Sequence, residues 1–135
     1  MHGSATISLT MAEAYSERPL VLVVEDEFLI RMATADAIRD AGFDVLEAGN
    51  ADEALVALEG RGDIRVVFTD IRMPGAMDGA KLAHAIKQRW PPVRIIATSG
   101  QVALEKLELP AGTLLFPKPY TAEDVAWTLQ ALTSS

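Results

Sequence analysis

Cysteine is absent from this chain, which removes disulfides, thiolate metal sites and cysteine nucleophiles together and fits a reducing interior. Positive charge is scarce: 12 Lys and Arg stand against 19 Asp and Glu, a formal charge of −7. That balance argues against a nucleic-acid or anionic-membrane footprint and for a basic partner surface. No apolar run nears the roughly 18 residues of a membrane span. The opening MHGSATISLTMAEAYSERP has neither a basic leader nor a compact apolar segment. The expectation is a soluble, cytoplasmic chain with no nucleic-acid and no membrane partner. Internal repeats and low-complexity tracts are missing too. Of the two histidines, His2 and His84, neither sits near a second ligand type, so neither makes a metal site.

What remains is a chain of one-domain length, 135 residues and half hydrophobic. Residues 1–18 mix Ser, Thr, Ala and Glu without a period and read as a flexible N-terminal extension; residues 19–135 form the domain. From Pro19 on, apolar runs alternate with helical patterns. Strands are expected at 20–24, 43–48, 66–70, 94–99 and 113–117, and helices over about 28–41, 51–59, 79–90 and 121–132. Gly42 follows AIRDA where a helix end favours a left-handed residue, and Trp90-Pro91-Pro92 stops the third helix. Thr121 with Asp124 three residues later is a variant of the capping box. The segment Gln101 to Gly112, interrupted by Pro110, has room for little more than two turns, so a fourth helix is short. Such βα alternation implies an α/β fold, a parallel sheet with helices on both faces.

Polar residues gather at the ends of these strands. The first ends on Glu25, Asp26 and Glu27, the third on Asp70, the fourth on Thr98 and Ser99, and the fifth leads into Lys118 between two prolines. In a parallel sheet these ends share one edge, where ligands of open α/β sheets bind. Crowded carboxylates repel, so a proton or a cation must sit among them, and all-oxygen ligation suits Mg²⁺ or Mn²⁺. With a cation and Lys118 at hand, a carboxylate oxygen of Asp70 could attack a phosphoryl group and become an aspartyl phosphate.

The ordered set VVEDE, TDIRMPG, TSG and KPY resembles the receiver domain of two-component response regulators, over Pro19 to about Leu132. The resemblance implies a flavodoxin-like (βα)5 three-layer sandwich with strand order 2-1-3-4-5 and a shortened fourth helix. It implies Asp70 as phosphoacceptor, with Glu25, Asp26, Asp70 and the backbone carbonyl of Arg72 as metal ligands. Lys118 would pair with the phosphoryl group, and a hydroxyl at the fourth strand end would bind it. Ser99 is preferred for that hydroxyl because Gly100 follows it, with Thr98 as the alternative. A cis bond before Pro119 is expected. The implied donor is a sensor histidine kinase or a phosphotransfer protein, and the implied output is a downstream protein target; a homodimer is left open.

Three departures from the family pattern stand out. MPGAMDG is one residue longer than the commonest spacing. The fourth helical segment is shortened. The switch position three residues before the lysine, normally aromatic, is Leu115, which is expected to stay buried and so send the signal through residues 100–112 instead. The chain stops three residues after Leu132, which suits a single-domain regulator or a receiver cut from a longer protein. As a signalling module it would not be an enzyme in the ordinary sense, although it would promote its own phosphorylation and dephosphorylation. Two other readings compete: a pseudo-receiver acting only as an interaction surface, and an aspartate-nucleophile phosphohydrolase of the haloacid dehalogenase type. The second wants another Asp two residues on, where this chain has Arg72. Glu27 reads as a solvated or capping charge, and Trp90 and Trp127 as core or helix-edge packing.

Overall fold

The structure, a computed structural model, describes residues 18–72, 78–99 and 108–134. Five strands form one parallel sheet: β1 (Leu20–Val24), β2 (Asp44–Ala48), β3 (Ile64–Asp70), β4 (Arg94–Ser99) and β5 (Leu114–Pro117), in the order β2-β1-β3-β4-β5. Among the described residues four helices accompany them: α1 (Phe28–Asp40), α2 (Ala51–Gly60), α3 (Gly79–Arg89) and α4 (Ala122–Thr133). The expected short helix after β4 and the lengthened MPGAMDG loop fall largely outside the described residues, as does nearly all of the N-terminal extension.

The layering follows from alternation along β1, whose five residues are all buried. Leu20, Leu22 and Val24 turn to one face and meet Ala54 and Leu58 of α2 and Leu82 and Ile86 of α3. Val21 and Val23 turn to the other and meet Ile38 of α1 and Val125 and Leu129 of α4. A strand with both faces covered must be apolar at every position, which is why LVLVV shows no polar alternation. Each of these larger side chains contributes about 1.5–3 kcal/mol by leaving water.

Helix starts follow local chemistry. The Asn50 side chain accepts the Glu53 N–H at 2.8 Å, and Asp78 accepts that of Lys81 at 2.9 Å. Thr121 and Asp124 complete the capping box, each side chain accepting the other's backbone N–H, at 3.0 and 3.3 Å. Such caps supply partners for first-turn donors that have none within the helix. Gly42 takes φ 104°, the left-handed geometry that ends α1 and turns the chain into β2.

Gly79 opens α3 with the closest packing constraint near the third strand end. A Cβ there would lie 2.6 Å from Ile71 Cα and closer still to the Asp70 carbonyl. Its N–H donates to Ile71 O at 3.0 Å. A side chain at this position would push the helix off the turn that carries Asp70.

Candidate functional site

Strand register decides which side chains meet. Residues opposite each other on neighbouring parallel strands share a face, and the face alternates along each strand. Val23 is opposite Phe68, Asp70 opposite Thr98, and Thr98 opposite Phe116. Glu25 lies two residues beyond Val23, and Lys118 two beyond Phe116. Glu25, Asp70, Thr98 and Lys118 therefore fall in one parity class. Ser99, opposite Pro117, falls in the other along with Leu115, which is opposite Ala97.

The ladder holds these ends in place after the strands stop. The Glu25 N–H donates to Ala48 O at 3.1 Å, that of Ile71 to Thr98 O at 2.9 Å, and that of Lys118 to Ser99 O at 3.2 Å. Lys118 Nζ then donates to Asp70 Oδ2 at 2.9 Å and lies 3.6 Å from Glu25 Oε1. Asp70 Oδ1 accepts the Arg72 N–H at 3.0 Å, and Glu25 Oε2 accepts that of Glu27 at 3.0 Å. The Lys118–Pro119 peptide is cis.

Burial separates the members. Glu25 is 5% and Asp70 6% exposed, whereas Asp26 is exposed. Burial, backed by the charge of Asp70 and by Asp26, pushes the Glu25 carboxyl up to about 7 against the pull of the Glu27 amide and Lys118. Burial also works to lower the Lys118 pKa, but the hydrogen bond and charge of Asp70, with Glu25, outweigh it and raise the pKa. One ammonium thus serves two buried carboxylates. Thr98 and Ser99 are 1% and 3% exposed, and both hydroxyl oxygens lack a hydrogen-bond partner. A buried hydroxyl without a partner in a native structure calls for an explanation, such as an acceptor that arrives with a ligand.

The donor chemistry passes the test for a hard cation. Carboxylate oxygens of Glu25, Asp26 and Asp70 lie within 4.8 Å of one another. An all-oxygen group with one exposed member is what Mg²⁺ or Mn²⁺ accepts while keeping part of its water.

Leu115 departs from the sequence reading, while Glu27, His84 and Trp90 stand much as read. Leu115, expected buried, is 40% exposed, and Leu114 is 38% exposed, because β5 is an edge strand. Trp127 is 73% exposed on α4 and packs no core, while Trp90 packs partly against the α2–α3 side. Glu27 is the exposed N-cap of α1 and makes no side-chain cap bond. His84 is exposed on α3, its Nε2 2.6 Å from Glu108 O. Sequence reasoning missed a cluster on the first turns of α1: Phe28, Leu29, Ile30 and Met32 are all exposed. Part of the signal was present, since Phe28, Leu29 and Met32 fall off the i, i+4 line of Ile30, Thr34 and Ile38, of which Thr34 and Ile38 are buried. Also missed was an aromatic trio beneath the site. Tyr120 stacks on Phe116 at 5.4 Å, and both meet the edge of Phe68, at 5.6 and 6.2 Å.

Comparison with known proteins gives a consistent result. The family model "Response regulator receiver domain" matches residues 21–125. The sensor kinase CckA of Brucella abortus (strain 2308) is 32% identical over 116 residues, 83% of this chain and 12% of that protein. Transcriptional regulatory protein PdtaR of Mycobacterium tuberculosis (strain ATCC 25618 / H37Rv) is 33% identical over 109 residues, 78% of this chain and 52% of that protein. The chain thus spans about half or less of the length of these relatives. The response regulator receiver protein from Sinorhizobium medicae WSM419 superposes with a TM-score of 0.77 at 27% identity, covering 86% of this chain and 94% of that one. With sheet order, strand-end chemistry and family match in agreement, this chain belongs to the response regulator receiver domain family.

Proposed function

We propose that Asp70 accepts a phosphoryl group from a phosphohistidine on a sensor histidine kinase or phosphotransfer protein, and that the modified domain signals by binding a downstream protein. The observation that carries this reading is the buried Asp70 carboxylate held at 2.9 Å from Lys118 Nζ beside Glu25 and Asp26. An Asp70 oxygen forms the new O–P bond as the donor P–N bond breaks, and the electron pair leaves with the histidine nitrogen. Lys118 then pairs with a phosphoryl oxygen. Mg²⁺ or Mn²⁺, held by Glu25, Asp26, Asp70 and the backbone carbonyl of Arg72, would neutralise phosphoryl charge. Both strand-end hydroxyls lack a partner; register favours Thr98, in the parity class of Asp70, to bind a phosphoryl oxygen, whereas Ser99, favoured by the sequence, lies in the opposite class.

The exposed Phe28, Leu29, Ile30 and Met32 follow directly on the acidic turn and suit apolar contact with a donor protein. A cytoplasmic setting fits such a donor, and no described helix is long and apolar enough to cross a membrane. The complete set of carboxylates and lysine speaks against a pseudo-receiver, and the family match against a phosphohydrolase. The test is incubation with Mg²⁺ and acetyl phosphate followed by intact mass. A metal-dependent gain of one phosphoryl group, lost in Asp70→Asn, is expected. An equal gain in that variant would move the acceptor elsewhere.

A further inference from the structure

The opposite edge of the sheet carries a second site. The strand starts of β4 and β5 enclose, with the end of α3, a cavity of about 320 Å³. In a chain of charge −7, this cavity is lined by two cations, Lys87 and Arg94, and by no carboxylate. Neither cation is in an ion pair among the described residues. Of the other basic side chains at this edge, Arg39 pairs with Asp36 and Glu47, Arg61 with Asp63 and Arg89 with Glu59, while Arg65 donates to the Thr133 carbonyl at 3.4 Å. Thr113 lines the same cavity, and its hydroxyl oxygen is buried without a partner.

We propose that this cavity binds a small phosphate monoester. An arginine fork, a lysine and a hydroxyl supply several donors and no acceptor charge, a set that matches the three terminal oxygens of a phosphate dianion better than the two of a carboxylate. Its walls are ordered beforehand. Pro91 and Pro92 fix their own φ on one side, and on the other the Thr113 N–H donates to Pro110 O at 3.2 Å around Gly112, at φ 87°. Binding would then cost little ordering. The neighbouring cavity, of about 460 Å³, also has two cations outside ion pairs, Arg65 and Arg94, but it is lined as well by the Asp63 carboxylate and by no partnerless hydroxyl, so it suits an anion less well. The site is independent of phosphotransfer at Asp70, which lies at the other end of β3.

The test is a titration of the full, metal-free chain with glycerol 3-phosphate, followed by backbone amide chemical shifts. Saturable shifts at Val93, Ile95, Gly112 and Thr113 are expected. Affinity should fall roughly tenfold in Arg94→Gln and several-fold in Lys87→Gln and in the near-isosteric Thr113→Val. Unchanged affinity in Arg94→Gln and Lys87→Gln would overturn the proposal, as would shifts reproduced by sodium chloride at equal ionic strength or confined to Asp70 and Lys118. Succinate binding as tightly as the phosphate would overturn the assignment to a phosphate monoester.

Discussion

The two edges of the sheet handle charge in opposite ways. At the edge where β1 and β3 end, two buried carboxylates share Lys118, a third lies beside them, and two hydroxyls have no partner. Where the strands begin, ion pairs are short and exposed: Arg61 with Asp63 at 2.8 Å, and Arg89 with Glu59 at 2.6 Å. Exposed pairs add little stability, about 0–1 kcal/mol each. Buried charge with too few partners opposes folding, so its retention, among the described residues, at one edge alone marks where function outweighs stability.

The comparison can be broken most severely through packing at the acidic edge. Gly79→Ala places a Cβ against the Asp70 and Ile71 backbone, and backbone cannot move aside as a flexible side chain can. We expect a loss of about 3 kcal/mol in urea unfolding. Gly60→Ala, where a Cβ meets nothing within 4 Å, serves as the control and should not destabilise.

Lys118→Ala comes next. It leaves Glu25 and Asp70 without the cation that lies 3.6 and 2.9 Å from them. We expect a loss of about 2 kcal/mol at pH 8 in the metal-free protein, less than for a fully buried pair because Lys118 keeps some contact with water.

Much of this was legible in the sequence. LVLVV announced a strand covered on both faces, and Thr121 with Asp124 announced the start of α4 because capping is a local interaction. Asp70, Glu25 and Lys118 could be brought together because parallel strands end at a common edge. Face was harder. The choice between Thr98 and Ser99 turned on the residue that follows, whereas β4 register is set against β3 and cannot be read from β4 alone. Leu115 misled for a different reason, as did the core half of the Trp127 reading: hydrophobicity says that a side chain would gain from burial, but whether a layer covers it depends on the sheet's edge and on neighbours distant in sequence.

A smaller effect sharpens the comparison through pH. The Glu25 carboxyl titrates near 7 in the folded chain against an ordinary 4.5. Between those values the folded state binds more protons than the unfolded one, so this group makes stability fall as pH rises from 4.5 to about 7, with no further change above. The difference in unfolding free energy between Glu25→Gln and the parent chain, both metal-free, should grow in favour of the variant across that window. A flat difference would mean that burial and Asp70 do not burden Glu25.

The smallest effect belongs at the opposite edge. Glu59→Gln removes the exposed partner of Arg89 and should change stability by no more than about 0.5 kcal/mol, a change that salt abolishes.

The central claim is that the acidic edge alone receives the phosphoryl group. Backbone amide shifts on adding beryllium fluoride with Mg²⁺, a stable mimic of aspartyl phosphate, test it most directly. The account predicts the largest changes at residues 25–27, 70–72, 98–99 and 118–120, none at 61–65, and loss of all of them in Asp70→Asn. Changes that persist in Asp70→Asn, or that centre on residues 61–65, would contradict it.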